Sequence, residues 1–214
     1  MKHAPILLAG LTLGGFAVAG VSLVAWTYHG MERRIVANQR LAMERKLAAI
    51  LPPGAGDNDP LADRIETSAP ARLGAPLTRI YRVRRQGEPV ALILNPVAPD
   101  GYSGPIDLLI SVLHDGRLGG VRVLAHRETP GLGDQIEETK SDWVLGFAGR
   151  SLANPAEAGW AVKRDGGDFD QFTGATITPR AIVAAVKNAL LYIREQGDRL
   201  YREPAASDGD RGGS

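Results

Sequence analysis

The chain opens on an unbroken apolar run. From Ala4 to Tyr28 there is no Asp, Glu, Lys or Arg. At about 1.5 Å of rise per residue, a helix over this stretch reaches past the ~30 Å hydrocarbon layer of a bilayer. Trp26 and Tyr28 fall at its end, where aromatic side chains favour the membrane–water boundary. The run exceeds the roughly 7–15-residue h-region of a cleaved signal peptide, and no clear A-x-A site follows it. Residues 1–30 are therefore predicted to form a retained transmembrane anchor. From Met31 to Leu51, apolar Ile35, Val36, Met43, Leu47 and Ile50 recur among Arg, Glu and Lys. That is the pattern of a juxtamembrane helix, which Pro52-Pro53-Gly54 ends. Residues 52–76, rich in Pro, Gly, Ala and Asp, read as a linker.

From residue 77 the period changes. Leu77–Arg84 alternates, and Pro89–Asn95 holds the short apolar run VALIL. Ile106–Leu113 and Leu118–Ala125 flank Asp115-Gly116, a hairpin signal that predicts antiparallel pairing. Asp134 with Glu137 three residues on reads as a capping box for a helix to about Gly146. Trp160–Lys163 reads as a short strand. Pro179–Gln196 carries an apolar stripe of Ile182, Val183, Val186, Leu190 and Ile193, and Gly197 stops it. The prediction is an α+β chain: a single N-terminal transmembrane helix, then a mostly antiparallel sheet domain with flanking helices over 77–200. A disordered tail over 201–214 follows from its composition.

Composition removes several chemistries. With no cysteine, disulfides, thiolate metal sites, protein-ligated iron–sulfur clusters and cysteine nucleophiles are out. The histidines at 3, 29, 114 and 126 show no metal-ligand spacing, so no metal site is expected. A net charge of +1 without a dense basic block gives no sign of nucleic-acid binding. No G-x-G-x-x-G follows a strand, so the chain is not expected to bind a nicotinamide cofactor by itself. The apolar span holds no ion-conducting residue. Charge counting on either side of the span, Lys2 against Arg33, Arg34 and Arg40 with Glu32 between, weakly favours a cytoplasmic domain.

One segment concentrates candidate chemistry: Asp170-Gln171-Phe172-Thr173-Gly174-Ala175-Thr176-Ile177-Thr178-Pro179. Thr178 before Pro179 reads as an N-cap followed by Pro at the first helical position. The preceding loop then faces the positive end of a helix dipole, where free N–H groups favour a phosphate. Gly174 and Ala175 leave room for a bulky group, and Thr176 offers a hydroxyl. The same residues also suit ordinary helix capping.

Asp170, Thr173, Gly174, Ala175 and Thr176 match D-x-x-[ST]-G-A-T. This resembles the flavinylation sequence of the FMN-binding domain family shared by the G subunit of Rnf electron-transport complexes and the C subunit of the sodium-pumping NADH:quinone reductase. His126-Arg127-Glu128-Thr129-Pro130-Gly131-Leu132-Gly133-Asp134 resembles the E-T-P-G-[LI]-G segment of the same family, and Gly101–Ile106 resembles the Rnf subunit more than its sodium-pump counterpart. The resemblance implies covalent FMN. A flavin transferase would move it from FAD onto Thr176 as a phosphoester, with Asp170, Thr173, Gly174 and Ala175 as the recognition motif. Gly131 and Gly133 would let the ring approach the backbone, and Thr129 would supply a hydroxyl. Tyr102 either stacks on the ring or is a turn aromatic. As its wider setting the resemblance implies a redox relay in an ion-translocating ferredoxin:NAD oxidoreductase of the bacterial inner membrane. The domain would lie in the periplasm, against the charge count, with other membrane and redox subunits as partners. The rivals are the C subunit of the sodium pump or a related anchored flavoprotein, and a non-redox anchored assembly or ligand-binding module.

Overall fold

The computed structural model describes residues 4–206, with side chains apart from those at 4–8, 29–33 and 36. Lys2 and the tail from 207 to 214 lie outside the described residues. The chain divides into two units, 1–46 and 47–214.

The described residues of the first unit are helical. Helix α1 runs Ala4–Ala49, 46 residues without interruption. The predicted anchor and juxtamembrane helix are one element, because Gly30 alone does not break a helix. Within it, Ala9–Tyr28 has a mean hydropathy of 1.7 and is wholly unburied. An apolar helix of this length with every side chain outward fits a single-pass membrane anchor.

The second unit is built on an antiparallel sheet. Its strands are β1 (Arg64–Thr67), β2 (Thr78–Arg85), β3 (Glu88–Leu94), β4 (Val97–Ala98), β5 (Ile106–Leu113) and β6 (Leu118–Ala125). The order is β1-β2-β3-β5, and β3 and β4 keep one register against β5: Leu94 faces Ile110 and Val97 faces Asp107. They therefore share one edge of β5, and β6 takes the other. The Asp115-Gly116 hairpin forms as its sequence predicts. Gly116 has φ +84 and Asp115 Oδ1 accepts from Arg117 N at 3.0 Å.

Helix α3 (Ile177–Gln196) covers the sheet. Its buried Ile182, Val186 and Leu190 join one core with Ile80, Leu92, Leu94, Leu108 and Ile110 from the strands. Burying such side chains contributes about 1.5–3 kcal/mol each. Short helices α2 (Pro70–Leu73) and α4 (Arg199–Arg202) complete the regular elements. The stretch 52–76, a linker by composition, thus contains a paired strand and a helical turn. Tyr201, where the tail was expected to begin, is buried, and Ala206 N still donates to Arg64 O at 2.7 Å.

Two sequence expectations are corrected. No α-helix forms from Asp134 to Gly146; the chain makes two 3-10 turns instead, Gly133–Ile136 and Trp143–Phe147. Both halves of the supposed capping box are engaged elsewhere. Asp134 Oδ1 accepts from Gly131 N at 2.8 Å, and Glu137 Oε1 lies 2.9 Å from His126 Nε2. Nor does Trp160–Lys163 form a strand. Val162 makes only an isolated parallel bridge to Phe169, with no partner strand to extend it. Aromatic packing holds this irregular region: Phe147 stacks on Phe169 at 4.9 Å, and Trp143 meets Phe147 and Phe172 edge-on at 5.2 Å each.

The last turn of α1 belongs to the sheet unit. Leu47 and Ile50 are buried, and Ser111 Oγ donates to Ile50 O at 2.6 Å. Gly119 and Gly120 make the seat. A Cβ on Gly119 would overlap Ser111 Oγ and lie 3.0 Å from Ile50 O.

At the opposite edge, Arg82 is only 3% exposed. Its Nε donates to Asp63 Oδ1 at 2.7 Å and its Nη1 to the carbonyls of Glu203 and Tyr201; Arg84 Nε reaches Asp63 Oδ2 at 2.8 Å. Removing Arg82 would leave a half-buried carboxylate short of a partner and several carbonyls without donors. Arg82→Leu is expected to cost about 3–5 kcal/mol in chemical denaturation. Arg79→Leu, which breaks the exposed Arg79–Glu66 pair, should cost no more than about 1 kcal/mol. Equal losses would refute this ranking.

Candidate functional site

Three loops meet at one end of the sheet unit: the turn between β4 and β5, the segment leaving β6, and the lead-in to α3. Between them lies a cavity of about 390 Å³, lined by Tyr102, Glu128, Thr129, Leu132, Gly133, Gly174, Ala175, Thr176, Ile177 and Thr178. Stretches far apart in the chain are thus brought together in its wall.

Helix α3 starts two residues earlier than its Thr-Pro signal predicts. Its first residue is Ile177 and its N-cap is Thr176, whose side chain makes no capping hydrogen bond. Thr178 is not the cap. It lies in the first turn, fully buried, and donates its hydroxyl to Glu128 Oε2. Pro179 is tolerated there because first-turn N–H groups have no intrahelical acceptor anyway. The amides of Thr176, Ile177 and Thr178 find no acceptor among the described residues. Together with the helix dipole they offer an anion-binding concavity.

Glu128 is the buried charge of the site, 4% exposed. Besides the Thr178 hydroxyl, it accepts from Ser103 N on Oε1 at 3.0 Å. Its own N–H donates to His126 Nδ1 at 3.1 Å, so the imidazole proton belongs on Nε2, facing Glu137 Oε1. Outside the cavity, Arg180 in the first turn of α3 makes a two-point pair with Asp165 at 2.6 and 2.9 Å. That hydrogen bonding holds the Asp165 carboxyl below the ordinary carboxylate range.

Of the residues the sequence singles out, Tyr102, Thr129, Gly133, Gly174, Ala175 and Thr176 line the cavity. Gly131, Asp170 and Thr173 do not. Gly131 shapes the loop through its φ of +79. Asp170 points outward, its side chain 70% exposed and paired with Lys163 Nζ at 2.5 Å. Thr173 is exposed. Sequence reasoning gave no role to Glu128, Leu132 or Ile177 and took Thr178 for a cap. Leu132 stood only as a position of the E-T-P-G-[LI]-G segment and Ile177 had no local signal, while an acidic residue beside Thr-Pro becomes informative only once it faces Thr178 in space.

FMN fits this wall. An uncommitted threonine hydroxyl adjoins unpaired helix N-terminal amides, and the exposed apolar side chains of Tyr102, Leu132 and Ile177 border the space. Where a side chain would intrude there is glycine: a Cβ on Gly133 would lie 2.8 Å from Glu128 Cβ and 3.2 Å from Thr178 Oγ1.

The two loop glycines should respond differently to alanine. Gly133→Ala forces Glu128 and Thr178 apart, and overpacking of this kind costs about 1–3 kcal/mol. Gly131→Ala meets no atom and carries only the left-handed backbone penalty, about 1–2 kcal/mol. In denaturation and flavin-content measurements, Gly133→Ala is expected to lose both stability and bound flavin, and Gly131→Ala stability alone. The reverse pattern would contradict the cavity as described.

The chain is similar to known proteins over nearly its whole length. The model of the FMN-binding domain matches residues 101–191, a span that includes every residue lining the cavity. The RnfG N-terminal region matches residues 1–50. The G subunit of the ion-translocating oxidoreductase complex of Pseudomonas aeruginosa strain PAO1 is 55% identical over 203 residues, 94% of this chain and 95% of the relative. The subunits of the same name from Escherichia coli K12 and from Vibrio cholerae El Tor Inaba N16961 are 43% and 42% identical. They cover 93% and 94% of this chain, and 96% of each relative. The chain belongs to the family of the ion-translocating oxidoreductase complex G subunits, Rnf-type flavoprotein subunits with an FMN-binding domain.

Proposed function

We propose that this chain carries FMN esterified through its phosphate to Thr176 and relays electrons within a ferredoxin:NAD oxidoreductase of the Rnf type. One observation carries the choice of residue. Of the threonines at 173, 176 and 178, only Thr176 both lines the cavity and keeps its hydroxyl uncommitted; Thr178 is bound to Glu128 and Thr173 lies outside. Attachment from FAD balances simply. The Thr176 oxygen forms a bond to the FMN phosphorus, the pyrophosphate link breaks, AMP leaves and the hydroxyl proton is released. The exposed Asp170 suits recognition by a flavin transferase, since its side chain does no packing.

Bound there, the flavin supplies the redox chemistry, accepting two electrons and passing them on singly or together. The chain supplies position. The amides of Thr176, Ile177 and Thr178 would hold the phosphate, Gly133 and Gly174 would leave room beside the backbone, and Tyr102, Leu132 and Ile177 would shield the ring from water. Other membrane and redox subunits would exchange electrons with it. We place the sheet unit in the periplasm, on the strength of the family resemblance and because export of a long domain responds little to a few flanking charges. Electrons from a cytoplasmic donor would then need a membrane-embedded redox partner.

In-gel flavin fluorescence after SDS denaturation tests the linkage. It is expected in the wild type made alongside a flavin transferase and absent in Thr176→Val. Asp170→Ala is expected to fold normally by circular dichroism yet carry less flavin. Fluorescence that survives Thr176→Val would exclude that residue as the acceptor. Topology is tested separately by fusions after Ser214. Alkaline phosphatase should be active and green fluorescent protein dark; the opposite pair would put the domain in the cytoplasm.

A further inference from the structure

The wall of the cavity holds a buried charge whose effect on a bound flavin the reading above leaves unassigned. Glu128 is a buried carboxylate on the cavity surface. Among the described residues its partners are the Ser103 amide and the Thr178 hydroxyl, and no Lys, Arg or His forms an ion pair with it. A buried carboxylate without a cation is uncommon, because taking it out of water is costly unless its oxygens are hydrogen-bonded. Here both oxygens are, each by a different segment of the chain.

The side chain is also fixed. Its backbone N–H is held by His126 Nδ1. Gly101 and Gly133 pack against it so closely that a Cβ on either would come within 3.0 and 2.8 Å of Glu128 atoms. The carboxylate therefore has little freedom to swing out to water or toward a distant cation. Fixed charges beside a flavin tune its electronics, and they act more strongly where water is excluded.

From this we infer that Glu128 is a positioning residue for redox poise: its fixed negative charge in the cavity wall opposes electron addition and holds the flavin at a lower potential than the same cavity without that charge. The inference rests on the FMN reading above. Its sign follows from electrostatics. Reduction adds negative charge to the ring, the carboxylate repels it, and removing the carboxylate must shift the midpoint toward positive values. The Thr178 hydroxyl, by donating to Oε2, disperses part of that charge.

The test is a spectroscopic redox titration, at pH 8, of the full-length flavinylated protein in detergent. Glu128→Gln keeps the shape and an acceptor for Ser103 N but removes the charge, and a more positive midpoint is expected. Glu128→Asp keeps the charge and should stay nearer the wild type than Glu128→Gln does. Equal shifts in both, or none in Glu128→Gln, would overturn the inference and leave Glu128 a structural clamp. Should Glu128→Gln fail to take up flavin, Thr178→Val decides. There the carboxylate loses a donor and its charge is less dispersed, so a more negative midpoint is expected; an unchanged or more positive one refutes the idea. Loss of flavin in Thr176→Val establishes that the titrated flavin is the one in this cavity. Its retention would overturn the cofactor site, a result separate from any potential shift at Glu128.

Discussion

The hydrogen bond from Thr178 to Glu128 fixes the arrangement on which the site depends. It joins the first turn of α3 to the loop leaving β6, residues 50 apart in sequence. A buried carboxylate tolerates little slack, since an oxygen left without a donor costs about 1–3 kcal/mol or more. The loop must therefore approach the helix closely enough to satisfy it, and the Gly101–Ser103 turn must supply the second donor. The cavity is what remains between three segments drawn to one side chain. Their glycines follow: a side chain at 133 would run into Glu128, and one at 101 into the Gly104 carbonyl and then the Glu128 carboxylate.

The same contact explains where α3 begins. A threonine whose hydroxyl is committed to a distant carboxylate cannot fold back to cap its own helix. The helix extends to Ile177, and Thr176 becomes the last residue before it, at the cavity surface with its hydroxyl free. Tertiary structure thus gives the two threonines different surroundings: Thr178 is buried against Glu128, and Thr176 stays at the cavity surface.

What could be read from the sequence divides along physical lines. The hairpin of β5 and β6, the alternation of β2 and the stripe of α3 rest on local period and turn chemistry, and they formed nearly where expected. The segment from Asp134 to Phe169 did not, because its polar side chains answer to partners elsewhere: Asp134 to Gly131, Glu137 to His126, Trp160 Nε1 to Ser151 O at 3.0 Å. Local signals of helix and strand there are outweighed by contacts that exist only after the aromatic cluster has packed. Gly133, Gly174 and Thr176, singled out by their motifs, line the cavity. The roles of Glu128 and Thr178 depend on each other and were invisible until both were in place.

The seating of the final turn of α1 on Gly119 and Gly120 has a consequence for releasing the sheet unit from its anchor. The natural cut lies inside a continuous helix, not at the Pro52-Pro53 break that ends it. Cleavage after Lys46 would carry Leu47 to Leu51 along and keep the Ser111 hydroxyl on Ile50 O. Cleavage at Pro52 would strip Ile50 from its seat, bare an apolar patch on β6 and strand the Ser111 hydroxyl. A form of this unit freed of the apolar stretch Ala9–Tyr28 therefore has to begin with a remnant of the very helix that carries that stretch.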